Sequence, residues 1–440
     1  MDRMGELRMT ELVFHHDCQQ LPQANESLIP VQLYGIDGKS RGDISVIGNP
    51  ITEKIQRLGV EVNSKAIDFL SIALAVTAAD TFVLRSESPD GWTRQLSLKI
   101  PLCEPDCWIA LQSQLEKALH FLSGDMWNLE FTEGGFAPPL IPQDKRFKLT
   151  QLDNLNCVSL FSGGLDSTIG AIDLLDNGYK PLLISHAYKG DSAFQKEIDQ
   201  VLSGEYSRFE VNADPHKAMG ITDITMRTRS INFLAFAVVG ASAIQQSNSL
   251  QNVDLYVPEN GFISLNAPLT PRRIGTLSTR TTHPHFIKSI QSIFDQVGIE
   301  CTIINPYQFK TKGQMVLECQ DRTLLANLVN KTVSCSHWKR KNQQCGTCVP
   351  CIIRKASLHT GGIQENITYF KTLTDVLSDP DHRDDVMAML IAIAQKEHKN
   401  ISTWVLNSGP LPENELADYK TVFTQGLDEV KLYFESKGVL

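Results

Sequence analysis

Between Cys157 and Tyr188 the chain runs CVSLF, SGGLDS, TIGAIDLLDNG and, after one residue, KPLLISHAY. This is a short apolar strand, a paired-glycine turn, an amphipathic helix stopped at Asn177-Gly178, and a second apolar strand. The succession is the sequence form of a parallel βαβ unit, which few architectures can accommodate. Its turn has chemical content. Gly163 and Gly164 carry no Cβ, so the backbone can come close to an anion. The following helix then points its free N–H groups and positive dipole end at that anion. Ser162 and Ser167 add hydroxyl donors, and Asp166 can orient the loop or help to hold Mg2+. The lysine and spacing of GxxxxGK[ST] are missing, which excludes the kinase-type loop. The plain alternative is a glycine turn whose serine and aspartate only cap the helix.

The same alternation continues downstream. A helix is expected through RSINFLAFAVVGASAIQQS, a buried strand through VDLYVPE, a helix through HPHFIKSIQSIFDQVG and a strand through CTIINP. Together these predict a doubly wound α/β core with a parallel sheet over residues 151–365. Residues 1–150 mix alternating stretches such as DTFVLRS and RQLSLKI with turn-rich IDGKSRGD and EGGFAPPLIPQDKR. They predict an α+β accessory domain with a helix near Trp108 to Ser123 and a linker from Gly134 to Pro142. Residues 366–440 predict a helical extension, clearest in DDVMAMLIAIAQKEHK. A chain of 440 residues exceeds most single cores, in keeping with such a division.

The N-terminus, MDRMGELRMTEL, is charged, and no apolar run approaches the roughly 18 residues that span a bilayer, so a cytoplasmic, membrane-free protein is expected. In that compartment the ten cysteines are expected as buried thiols or metal ligands. The net charge of −9 argues against a nucleic-acid backbone as the main partner, although Lys339, Arg340 and Lys341 form one short basic run. Beside that run, Cys335, Cys345, Cys348 and Cys351 follow a C-x9-C-x2-C-x2-C spacing. Four thiolates complete a tetrahedral Zn2+ with no open position, which makes the site structural. His337 replacing one ligand, or an iron–sulfur cluster on the same sulfurs, are the alternatives.

SGGLDS in a βαβ setting resembles the PP-loop of the ATP pyrophosphatases, which adenylate a carboxylate, amide or carbonyl oxygen and release pyrophosphate. The resemblance implies ATP and Mg2+, with Ser162, Gly163, Gly164, Leu165, Asp166 and Ser167 around the triphosphate. SC...CGTCVPCIIRKAS resembles the zinc knuckle of the 7-cyano-7-deazaguanine synthases of the queuosine pathway, which places Arg354 after it. TRSINFLAFAVVGA resembles that family's helix beginning with an arginine near the phosphates, here Arg229, and INPYQFKTKGQMV its threonine-lysine segment, here Thr311 and Lys312. Asp166, Arg229 and Lys312 are therefore the expected catalytic set, acting on a small 7-deazaguanine-type substrate.

Where those synthases carry a Tyr-Gly-Gln segment and a Tyr-Pro-Asp run, this chain has SHAYKGDSAFQKEI and PENGFISLNAPLTPRRIGTLSTRTTHPHF. In the latter, Glu259, Asn260 and Asn266 can read the edge of a guanine-like ring, and Arg272, Arg273 or Arg280 can pair with a carboxylate or phosphate. The plain alternative for each is a polar loop residue or helix cap. His283 and His285 are read as capping or surface residues rather than acid–base groups. With the added N-terminal domain, these departures resemble the synthase-like proteins of the Qat and some CBASS anti-phage defence operons. That implies a protein partner from the same operon. The competing expectations are a tRNA-thiolating enzyme using Cys157 or Cys319, and a non-catalytic nucleotide-binding subunit.

Overall fold

The computed structural model describes residues 9–35, 42–141, 148–186, 191–223, 227–271, 280–338, 342–379 and 383–440. Among these residues lie two five-stranded sheets, each parallel throughout. The first holds β1 (Thr10–His15), β2 (Leu28–Leu33), β3 (Ser45–Ile47), β4 (Gln95–Pro101) and β5 (Met126–Thr132), in spatial order β3-β2-β1-β4-β5. The second holds β6 (Cys157–Leu160), β7 (Pro181–His186), β8 (Ser207–Val211), β9 (Val253–Tyr256) and β10 (Cys301–Ile304), in order β10-β9-β6-β7-β8. Counted from its β8 edge, the second sheet repeats the strand order of the first.

The helices are α1 (Ile51–Gln56), α2 (Ser64–Phe82), α3 (Pro105–Ile109), α4 (Gln112–Ser123), α5 (Leu165–Asp176), α6 (Asp191–Asp199), α7 (Arg229–Asn248), α8 (Gly261–Leu265), α9 (Pro284–Val297), α10 (Lys312–Glu318) and α11 (Arg322–Leu328). They are followed by the five C-terminal helices Val349–Gly361, Leu373–Leu377, Asp384–Gln395, Ile401–Leu406 and Leu416–Ser436. The expected doubly wound core is present, with β6, β7, β9, β10, α5, α7 and α9 where the apolar pattern put them; the edge strand β8 and the helix α6 were not foreseen.

The N-terminal unit differs from the α+β expectation, because its sheet is wholly parallel and DTFVLRS closes helix α2 instead of forming a strand. The reason is burial. Every residue of α2 from Ala66 to Asp80 is buried, so no polar face marks a helical period. The alternation of β4 and β5 survived because one face of this sheet rests on helices while the other is open, where Lys99 and Glu130 pair at 2.7 Å.

Helices α2 and α7 pack on each other between the two sheets. One core runs from Leu12 and Leu98 through Phe69, Ile72, Phe236 and Val239 to Val158 and Ile184, so residues before and after 150 share a single apolar interior. The two helices run antiparallel. The Asn63 N–H, at the start of α2, donates to Ser242 Oγ in the second half of α7 at 2.8 Å. At the other end, Asp80 Oδ2 accepts from both the N–H and the hydroxyl of Thr228, each at 3.0 Å. Asp80 also meets Arg94, which with Arg85 grips the fully buried Asp125, so each of these buried charges has an opposite partner.

Gly134 to Pro142 was expected as a linker, and its described part instead threads across the carboxyl ends of the first sheet. Phe136 stacks on Tyr34 at 4.3 Å and meets His16 edge-on at 5.7 Å, while Cys103 Sγ donates to its carbonyl. A doubly wound sheet binds ligands at the point where strand order reverses. Here that place is filled by the chain's own aromatic ring.

The C-terminal helices form a second core in which Val422, Phe423 and Leu427 pack with Phe262, Leu265 and Ile352. Gly426 makes this possible, since a Cβ there would lie 2.4 Å from the Phe262 ring. Trp404 Nε1 donates to Pro268 O at 2.8 Å. The extension therefore encloses the 262–269 segment. Among the described residues no helix is long and apolar enough to cross a membrane.

Candidate nucleotide site and metal knuckle

The strand β6 leads into Phe161, which is wholly buried, and delivers Ser162 to the loop. Gly163 sits at φ +80°, a conformation that costs other residues about 1–2 kcal/mol. Gly164 is the extended N-cap of α5, and its own side chain is absent where a cap oxygen would normally sit. Ser162 Oγ accepts from Gly164 N–H at 3.3 Å and lies 3.1 Å from Ser167 Oγ, so the two hydroxyls face each other across the turn. Ser167 and Thr168 hydroxyls both donate back to Gly164 O, at 3.1 and 2.9 Å. The loop is thus held open by its own backbone. Gln195 of α6 was not foreseen. It is wholly buried, donates to Ser162 O at 3.2 Å, and its Oε1 has no partner among the described residues.

Asp166 points inward. Its Oδ1 lies 2.9 Å from Lys312 Nζ, and its Oδ2 accepts from the Asn260 side chain at 2.7 Å and the Asn260 N–H at 3.2 Å. Burial works against its charge, but Lys312, Glu259 and Asn260 outweigh it and hold the Asp166 carboxyl below its ordinary value. The neighbouring Glu259 goes the other way, since burial and the Asp166 charge push its carboxyl well above the usual range. Two adjoining carboxyls shifted in opposite directions therefore flank the loop. Gly170 sets this meeting up, because a Cβ there would lie 2.4 Å from Pro258 Cγ. Its absence lets α5 settle on the 257–260 turn.

The site residues expected from sequence fall into three groups. Asp166, Lys312, Glu259 and Asn260 are brought together. The Asn260 amide is fully used, its oxygen capping α8 through Ile263 N–H and its nitrogen held by Asp166, so it positions the aspartate. Arg229 is the first residue of α7, the crossover from β8 to β9, and so starts at the strand ends where the loop lies. Asn266 is the left-handed C-cap of α8, at φ +49°. Arg280 is elsewhere. Its guanidinium donates to Phe121 O at 3.1 Å and stacks over the Phe121 ring at 4.5 Å, on the N-terminal unit. Arg272 and Arg273 lie outside the described residues, as do Lys339, Arg340 and Lys341. His283 is a cap, as expected: its Nδ1 accepts from His285 N–H, its Nε2 faces Ser408, and burial lowers it to about 3.

The thiols of Cys335, Cys345, Cys348 and Cys351 lie within 4.8 Å of one another, with 3.9 Å between Cys335 and Cys348 and between Cys345 and Cys351. A tetrahedron of zinc–sulfur bonds of about 2.3 Å has edges of about 3.8 Å, so the four sulfurs fit one Zn2+. They are too close for an iron–sulfur cube, whose irons each take one outlying thiolate. His337 contributes its N–H to Cys335 Sγ at 3.3 Å and Cys345 and Cys348 make similar N–H···S bonds, which favour the thiolate form. Gly346 at φ +83° shapes the turn. The knuckle adjoins the loop directly: Val333 N–H, two residues before Cys335, donates to Gly163 O at 3.1 Å. Arg354, wholly buried, ties the segment leading from the loop to the knuckle through Thr332, Ser334 and Val329 O. The other two thiols singled out, Cys157 and Cys319, are buried, and burial together with Asp254 and Asp173 respectively pushes both up to about 12. Such thiols are inert.

The family model described as Queuosine biosynthesis protein QueC matches residues 281–362. The matched stretch contains α9, β10, α10, α11 and the whole cysteine knuckle, and it begins downstream of the glycine loop. It supports a QueC-like, ATP-using enzyme.

Proposed function

We propose that the chain adenylates the carboxylate of a 7-deazaguanine-type acid and passes the acyl group to a nitrogen nucleophile, as an ATP-dependent carbon–nitrogen ligase. The observation that carries the proposal is the Gly163 turn at the start of α5, flanked by the Asp166–Lys312 pair and braced by the knuckle through Val333. ATP binds with its phosphates on Ser162, Gly163, Gly164 and Ser167, and Arg229 and Lys312 offset their charge. Mg2+ bound with ATP would supply charge neutralisation on the phosphates; both Asp166 oxygens are already engaged by Lys312 and Asn260, so this carboxylate positions the lysine. The substrate carboxylate oxygen attacks the α-phosphorus, the bond to pyrophosphate breaks, and an acyl-adenylate forms. A neutral amine then attacks the acyl carbon, AMP leaves with the bonding pair, and the nitrogen gives up a proton. Zn2+ on the four cysteines holds the fold beside this chemistry and takes no part in it.

The nitrogen donor is ammonia, giving an amide, or the N-terminal amine of a partner protein in an anti-phage defence system, giving a nucleobase–protein conjugate. The inert Cys157 and Cys319 weigh against the thiolating alternative. Purified protein given ATP, Mg2+ and a carboxylated deazaguanine should release pyrophosphate and AMP, and mass spectrometry should find the amide with ammonia or the adduct on a partner's N-terminus. Absence of pyrophosphate release under all these conditions would leave a non-catalytic nucleotide-binding subunit.

A further inference from the structure

The helix α10 carries Lys312 at its first position, and its N-cap is Thr311, which is wholly buried and makes a reciprocal capping box with Gln314. A cap of that kind already completes the helix start. Yet a further carboxylate has been brought to the same turn from the far end of the chain. Glu429, in the C-terminal helix Leu416–Ser436, accepts from the Thr311 hydroxyl with Oε1 and from Gly313 N–H with Oε2, the latter at 3.1 Å. The two residues it holds are the immediate neighbours of Lys312. Gln425, one turn earlier on the same helix, receives a bond from the Gln314 side chain at 3.2 Å. Gly313 makes the contact possible, since a Cβ there would lie 2.4 Å from Glu429 Oε1 and 2.5 Å from its carboxyl carbon.

We infer that Glu429 is a positioning residue for Lys312, so that the C-terminal helix, outside the matched 281–362 stretch, is part of the nucleotide site. This rests on the nucleotide reading proposed above. A lysine is a flexible point charge, and its value to a phosphate depends on where its stem begins. Lys312 is buried, with its Nζ on Asp166 at the start of α5. Fixing Thr311 and Gly313 on either side sets the direction of its Cα–Cβ bond. The carboxylate holds both flanks of the lysine and, among the described residues, makes no hydrogen bond or ion pair with the lysine itself. A displacement of about 1 Å at a reacting group can cost on the order of 100-fold in rate.

The test compares wild type, Glu429→Ala, Glu429→Gln and Gly313→Ala, measuring ATP binding by calorimetry, pyrophosphate release, zinc content and thermal midpoint. Glu429→Ala should raise KM for ATP and lower kcat, reducing kcat/KM by about 10- to 100-fold, with zinc content unchanged. Glu429→Gln keeps one acceptor oxygen and should restore most of the loss. Gly313→Ala leaves the C-terminal core untouched but must push the carboxylate away, and it should reproduce the kinetic change of Glu429→Ala at a wild-type thermal midpoint. An active wild type with Glu429→Ala and Gly313→Ala at full kcat/KM would overturn the inference. So would an activity loss in Glu429→Ala that merely follows its thermal midpoint while Gly313→Ala is normal. A wild type that neither binds ATP nor releases pyrophosphate would instead overturn the nucleotide reading on which the inference stands.

Discussion

Replacing Lys312 by methionine keeps the aliphatic stem and removes the ammonium 2.9 Å from Asp166 Oδ1, where both side chains are less than a tenth exposed (5% and 7%). Breaking a buried pair from one side leaves an uncompensated charge, at a cost of about 3–5 kcal/mol. Asn260 still donates to Oδ2, which places the expected loss near the lower end, about 3 kcal/mol. The loss should depend on pH with a definite sign. In wild type the Asp166 carboxyl is held below its unfolded value, so its contribution is present at neutral pH and disappears only as pH falls through that lowered folded value. Without Lys312, burial is opposed only by Glu259 and Asn260, and the folded carboxyl rises above the unfolded one. A group of that kind stabilises below its unfolded pKa and loses its contribution as pH rises through the folded one. Lys312→Met should therefore be more damaging at pH 8 than at pH 5, and Asp166→Asn with Lys312→Met should lose less than the two singles together, by about 1–3 kcal/mol. Urea unfolding at both pH values measures all of this. Additive singles with a pH-independent loss would show that the pair does not interact as described.

Cys348→Ser should weaken zinc binding by about 100-fold or more and lower the thermal midpoint, as should a strong chelator added to wild type; metal analysis showing one Zn2+ per chain in the variant would remove the assignment. Gly163→Ala forces a side chain into φ +80° with its Cβ 3.2 Å from Gln195, and should cost about 1–2 kcal/mol of stability together with most ATP binding. Calorimetry with ATP showing wild-type affinity in that variant would refute the loop's role.

Four strands of the second sheet and the helices α5, α7 and α9 were legible because the strands are short apolar runs and the helices have clear stops, of which Asn177-Gly178 is typical; the edge strand β8, SRFEV, was not, because only Phe209 and Val211 of it are buried. The cysteine knuckle was legible because one ion constrains four residues close in sequence. Glu259 and Asn260 were picked out where the chain departs from the family pattern, but their position beside Asp166 depends on Gly170 lying against Pro258, and an isolated helical glycine gives no hint of what it approaches. Gln195 and Glu429 are single polar residues on amphipathic helices, indistinguishable in sequence from any solvated position. The parallel N-terminal sheet was missed because α2 is buried on every side and the described parts of the β1–β2 and β2–β3 connections contain no α-helix, so neither cue for a βαβ unit was present.

The shared α2–α7 layer has a mechanical consequence. Many nucleotide enzymes enclose their substrate by swinging one lobe over another about a hinge. In this chain the two sheets grip opposite sides of one dry helical layer, clamped at one end by Asp80 on Thr228 and at the other by Asn63 on Ser242. Swinging them would tear that layer open, so the two sheets are held as one body, and a hinge between them is not available to this chain.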